Sequence, residues 1–186
     1  MTKNGLGTAQ VTLATDWLAD CAGCHMSLLD MDEKLVQLLE LVQITSSPIT
    51  DLKHPPESGV VVGILSGAIN NTTNLEVARQ MRERCQVLVA LGDCAVLGGI
   101  VTLRNFFDME EALQRAYVET ESTVDGFVPR SEELSRPLPA QPVDRVVSVD
   151  AYLPGCPPSP EAIYQLIGEL LMGRRPVAGG EHLKYD

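Results

Sequence analysis

Four cysteines, Cys21, Cys24, Cys94 and Cys156, each lie in a glycine-containing turn directly after a run of strand-like residues. If those strands are parallel, their carboxyl ends share one edge of a sheet, and thiols far apart in the chain can converge there. The spacing is C-x2-C-x69-C-x61-C, and the contexts are Cys-Ala-Gly-Cys (21–24), Gly-Asp-Cys (92–94) and Pro-Gly-Cys-Pro-Pro (154–158). Few folds can deliver these loops to one place.

The hydrophobic pattern supplies such a fold. Residues 11–14 read as a short apolar strand, followed by a loop over 15–23. Ser27 with Asp30 resembles a capping box, and Leu28, Leu35, Leu38, Leu39 and Val42 recur at helical spacing, which predicts one amphipathic helix over 27–44. Residues 46–58, rich in Pro and Ser, form a connection, and 60–65 is a β-branched run typical of a strand buried on both faces. Residues 70–74 can cap a helix over 75–84, and a third strand over 87–91 closes at Gly92. Residues 97–107 are ambiguous between helix and strand, whereas 109–117 are again helical. Residues 120–142 contain four prolines and many charges and read as a long surface connection. A fourth strand is predicted over 146–149, and Ser159, Pro160 and Glu161 open a helix over 162–172, after which 173–186 are irregular. Alternation of strand and helix predicts an α/β fold, a parallel sheet with right-handed crossovers and helices on both faces.

At 186 residues one domain over 1–186 is expected, with a core of its own. Asp plus Glu number 25 against 14 Lys plus Arg, a net charge of -11 that would repel a phosphate backbone, so no nucleic acid is expected as a partner. No apolar run approaches the roughly 20 residues of a membrane-spanning helix. Residues 1–10 carry neither a signal core nor a twin-arginine pair, so the expected location is cytoplasmic. Thiols stay reduced there, and an odd count of five cysteines also argues against a disulfide framework.

Four thiolates suit a tetrahedral zinc or a cubane iron–sulfur cluster, and spacing alone does not separate them. Structural zinc commonly uses two close pairs that staple a small fold; here one pair is close and two ligands arrive singly from a domain with its own core. Glycines 23, 92 and 155 let backbone amides approach inorganic sulfide, and prolines follow Cys156 as they do in cluster loops. These contexts favour iron–sulfur over a zinc-stabilised interaction module. A thioredoxin-like pair at Cys21 and Cys24 would leave Cys94 and Cys156 unexplained. A cluster held by four cysteines has no open position for substrate, so it would pass electrons.

Asp-Cys-Ala-Gly-Cys-His-Met-Ser-Leu-Leu-Asp-Met-Asp-Glu (20–33), Leu-Gly-Asp-Cys-Ala (91–95) with Thr-Leu-Arg-Asn (102–105), and Tyr-Leu-Pro-Gly-Cys-Pro-Pro (152–158) together resemble the small subunit of cytoplasmic NAD-reducing, or bidirectional, nickel-iron hydrogenases. The cysteine contexts alone are shared with the cluster-bearing subunit of respiratory complex I, which is similar but has two adjacent cysteines at the first site. The resemblance implies a flavodoxin-like domain with one proximal 4Fe-4S cluster on Cys21, Cys24, Cys94 and Cys156. It also implies a large subunit holding the nickel-iron centre, and diaphorase subunits with FMN and further iron–sulfur clusters that exchange electrons with NAD. Small subunits of respiratory hydrogenases are longer, with a second cluster domain for which this chain has no cysteines left. Many relatives carry a glutamate where Ser66 stands, which leaves any role of that carboxylate without a counterpart at this position. No phosphate-cradling glycine loop marks a flavin site.

The remaining residues of interest have plainer expectations. Cys85 reads as a small buried hydrophobe. His25 could donate to a cluster sulfur or be a solvated or interface histidine, and Trp17 and Met26 are expected at an interface. His54 and His182, and the carboxylates Glu33, Asp51 and Glu57, read as solvated; no catalytic residue is assigned.

Overall fold

The computed structural model describes residues 10–174 and residue 176. The expectations for residues 1–9, for 177–186 and for His182 lie outside the described residues. The chain runs β1 (Val11–Trp17), α1 (Gly23–Leu29), α2 (Glu33–Leu41), β2 (Val42–Ser46), β3 (Val60–Ser66), β4 (Ile69–Asn71), α3 (Thr72–Arg84), β5 (Cys85–Leu91) and α4 (Gly92–Leu97). A 3₁₀ segment (Gly99–Phe106), α5 (Met109–Tyr117), β6 (Pro137–Gln141), a 3₁₀ turn (Val143–Arg145), β7 (Ala151–Leu153) and α6 (Pro160–Leu171) follow.

The main sheet has the order β2-β1-β3-β5-β7, and every pairing in it is parallel. This is the flavodoxin-like doubly wound order, in which ligands sit outside the carboxyl ends of the strands. The central strands bury alternate residues on opposite faces. Leu13, Val62, Ile64, Val89 and Leu91 pack in one core with residues of α1, α2 and α6. Ala14, Leu65, Leu88 and Ala90 pack in the other with Ala78 and Met81 of α3. With both faces covered, the core stands on apolar burial, so the four thiols are not needed as a staple.

The single helix expected over 27–44 is three elements. Asp30 N–H closes α1 on Met26 O at 2.9 Å, Asp32 turns at φ 51°, and α2 starts afresh before giving way to β2. Val42 keeps the helical spacing of α2, which hid the edge strand; it pairs instead with Val11 of β1. Ser27 caps no helix: its hydroxyl donates to Pro158 O at 2.5 Å. The fourth strand expected over 146–149 is a turn, and β7 begins at Ala151. There Asp150 N–H donates to Leu88 O at 2.9 Å and Asp150 Oδ2 accepts the Leu88 N–H at 2.8 Å, which sets the register of β7 on β5. Within 120–142 the chain adds β6, antiparallel to β4. The caps at Asn71, where Oδ1 accepts Asn74 N–H at 2.8 Å, and at Ser159, where Oγ accepts Ala162 N–H at 3.2 Å, are those the sequence predicts.

Candidate metal centre

Strands β1, β3, β5 and β7 are consecutive neighbours, and the segments leaving β1, β5 and β7 carry the four cysteines. Beyond β1, Leu18 N–H donates to Ser66 O at 2.8 Å, and Ala19 and Ala68 exchange two hydrogen bonds of 2.9 Å. Asp20 Oδ1 then accepts the Ala22 N–H at 2.8 Å while Ala22 takes φ 64°. That turn starts α1 at Gly23, so Cys24 lies in its first turn and Cys21 just outside it. Cys94 lies in the first turn of α4, and Cys156 follows β7 through Pro154 and Gly155.

Direct contacts tie these loops together. Asp93 N–H donates to Gly155 O at 2.9 Å, and Gly155 N–H donates to Asp93 Oδ1 at 2.7 Å, joining the residues just before Cys94 and Cys156. The Ser27–Pro158 bond joins α1 to the loop of Cys156. Gly92 has φ 83°, and a Cβ there would fall on the Cys24 sulfur. Gly99 has φ 49°, and its Cβ would lie 2.8 Å from the Cys94 sulfur. Both glycines occupy left-handed backbone beside a thiol that leaves no room for a side chain.

The thiols also feel one another. Burial, then the charges of Asp20, Cys94, Cys21 and Cys156, push the Cys24 thiol up to about 12. Burial and the neighbouring Cys156 raise Cys94, while the Ile100 N–H, hydrogen-bonded to its sulfur, pulls the other way. Cys21, Cys94, Cys156 and the Asp20 carboxylate thus stand near Cys24, a set of donors that a cationic metal group would suit. Among the described residues, no three Cys, His, Asp or Glu side chains are placed to hold a metal ion together. A zinc bound by four thiolates needs sulfurs only about 3.8 Å apart, from Zn–S ≈ 2.3 Å in a tetrahedron. A cubane gives each thiolate its own iron, so a looser ring of sulfurs fits it. Cysteine donors on three loops and glycine backbone against two of the sulfurs suit an iron–sulfur group.

Behind the first loop runs a line of polar side chains. Ser66 Oγ donates to Asp20 Oδ2; the His25 ring stands 3.2 Å from the Ser66 hydroxyl and 3.2 Å from that of Thr15, which donates to Ser47 Oγ at 2.9 Å. His25 is therefore neither a solvated residue nor placed on a sulfur: it is 1% exposed, and Trp17 stacks edge-on against it at 5.4 Å. Burial holds its imidazole below the ordinary value, against the pull of Asp20. The carboxylate beside this loop comes from Asp20, with Ser66 as its donor.

Cys85 stays apart, at the amino end of β5, in the core on the α3 face. Seven residues of strand, about 20 Å, separate it from the Gly92 end. Trp17 and Met26 are 37% and 45% exposed, and His54, Glu33, Asp51 and Glu57 are exposed. Sequence reasoning missed Asp93, Gly99 and Asp20. Their signals were an aspartate directly before a candidate ligand in two of the three loops, and the Gly98-Gly99 pair after Cys94.

Comparison with known proteins shows the family and the fold. The family described as NADH ubiquinone oxidoreductase, 20 Kd subunit, matches residues 21–170. The chain is 37% identical to the NAD-reducing hydrogenase HoxS subunit delta of Cupriavidus necator, over 89% of this chain and 80% of that protein. It is 35% identical to a subunit of the F420-non-reducing hydrogenase of Methanothermobacter marburgensis, over 88% of this chain, and spans 54% of that relative's length. A chain in the crystal structure of an NAD+-reducing [NiFe]-hydrogenase in the H2-reduced state superposes with a TM-score of 0.90 at 37% identity, covering 95% of this chain and 99% of that one.

Proposed function

The chain belongs to the family of the NADH ubiquinone oxidoreductase, 20 Kd subunit, and from that premise we propose that it is the electron-transferring small subunit of an NAD-reducing nickel-iron hydrogenase. The observation that carries the reading is the meeting of Cys21, Cys24, Cys94 and Cys156 at the carboxyl edge of one parallel sheet. These four are the ligands of one 4Fe-4S cluster. When bound, that group supplies reversible one-electron storage with no open coordination position. Asp20 and Ala22 shape the loop of Cys21, Asp93 ties the loop of Cys94 to that of Cys156, and Gly92 leaves the Cys24 sulfur its space.

Hydrogen is split or formed in another subunit. The nickel-iron centre lies in a large-subunit partner, and diaphorase subunits with FMN and further iron–sulfur clusters exchange the electrons with NAD. Exposed apolar side chains beside the cysteine loops, Trp17, Met26, Leu97 and Ile100, support a protein-covered face there. Among the described residues no helix is long and apolar enough to cross a membrane, and NAD chemistry with reduced thiols fits the cytoplasm. The described residues act as one flavodoxin-like domain.

The test is purification of the native complex with assay of nickel, iron, acid-labile sulfide, flavin and hydrogen-driven NAD reduction. Copurifying nickel and sulfide with that activity are expected. A quinone-linked partner without nickel would point to a complex I-type subunit, and a colourless chain with zinc and no sulfide to an interaction module.

A further inference from the structure

The 3₁₀ segment Gly99–Phe106 presses on Cys94, yet it contains no buried residue. Ile100 is 72% and Phe106 82% exposed, so apolar burial does not hold it in place. Polar side chains do. Arg104 Nη2 donates to Asn70 O of β4 at 3.1 Å and to Leu138 O of β6. Asn105 pairs with Ala140 of β6 as a strand would: Nδ2 donates to Ala140 O at 2.7 Å, and Oδ1 accepts the Ala140 N–H at 2.8 Å. Arg104 Nε is buried without a partner, so the guanidinium is desolvated at a cost that only its two carbonyl contacts offset.

Resting on the ligand reading above, we propose that Arg104 and Asn105 are positioning residues for Cys94. By pinning the segment to the β4–β6 pair they keep the Gly99–Ile100 backbone against the Cys94 sulfur, so close that a Cβ on Gly99 would lie 2.8 Å from it, with the Ile100 N–H as the donor. Its dipole points a positive end at the ligand, which favours the more negative, reduced form of whatever Cys94 binds. The staple therefore raises the midpoint potential of the cluster without touching it.

The experiment is a redox titration followed by electron paramagnetic resonance on the purified complex, with wild type beside Asn105→Ala. The variant is expected to keep its iron and sulfide while its midpoint becomes more negative by about tenfold in the reduction equilibrium, ~59 mV for one electron. Resonance Raman bands of the iron–thiolate bonds shift with it. An unchanged midpoint with iron retained overturns the proposal and leaves the ligand reading standing, whereas wild-type complex without acid-labile sulfide overturns both. If Asn105→Ala loses iron, Asn105→Gln replaces it: both polar groups remain, one methylene further out, and a smaller shift in the same direction is required.

Discussion

Asp93 and Gly155 bond in both directions, backbone to backbone at 2.9 Å and backbone to carboxylate at 2.7 Å, across 62 positions of sequence. The pair makes the spacing of Cys94 and Cys156 a property of the fold rather than of the bound group. Asp93→Ala removes one of the two bonds and is expected to cost about 1.5–3 kcal/mol, the range for a hydrogen bond to a charged group. Iron per chain should fall with it. Asp93→Asn keeps an acceptor and should retain most of both, as thermal unfolding and iron analysis would read; equal losses in the two variants would contradict the clamp.

Cys94→Ala and Cys156→Ala should each abolish the bound iron–sulfur group and hydrogen-dependent NAD reduction. Cys85→Ala, at the far end of β5, should leave both in place with a stability loss of roughly 1 kcal/mol. Iron and sulfide content of the three purified variants decides, and the reverse pattern would discard the ligand set.

Gly92→Ala and Gly59→Ala separate backbone strain from a blocked sulfur. Both glycines have positive φ, 83° and 88°, so each alanine costs about 1–2 kcal/mol for the left-handed conformation. Only at position 92 does the new Cβ meet Cys24; at 59 it meets nothing within 4 Å. Gly92→Ala is expected to lose iron while Gly59→Ala keeps it.

His25→Ala would leave Ser66 and Thr15 facing a cavity. Ser66 keeps its bond to Asp20 and Thr15 its bond to Ser47, so each loses one hydrogen bond, about 0.5–1.5 kcal/mol apiece, and unfolding by heat should shift downward by several degrees. A melting temperature within a degree of wild type would show that the line of side chains from Asp20 to Ser47 does not depend on the imidazole.

Asp16 supplies a pH test away from the cysteines. Burial holds its carboxyl above the ordinary carboxylate value, against the opposing Trp17 N–H and the charge of His54. A folded-state value above the unfolded one means the favourable contribution is complete below the unfolded value of about 3.9 and disappears as pH rises through the folded one. Asp16→Asn, which can still accept the Trp17 N–H, should therefore stabilise at pH 7 relative to wild type and lose that advantage near pH 3. Denaturant unfolding at the two pH values reads the difference.

The alternation of strand and helix and the placement of cysteines after strands were legible because a parallel strand buried on both faces advertises itself locally, as 60–65 does. Strand β2 was not: Val42 extends the helical period of α2, and only pairing with Val11 makes it a strand. Strand β7 was misplaced for a similar reason. The β-branched run at 146–149 looks more strand-like than Ala151–Leu153, yet the Asp150–Leu88 bonds select the latter.

The linear order of residues determined which side chains could be ligands and that parallel strands would carry three loops to one edge, since periodicity and turn chemistry are short-range. Tertiary structure alone decided how those loops lock. Asp93 on Gly155, Gly92 beneath Cys24, and Asn105 on Ala140 are contacts between segments tens of residues apart. Which polar group meets which carbonyl at such range depends on strand order and register, and neither is written in any local pattern.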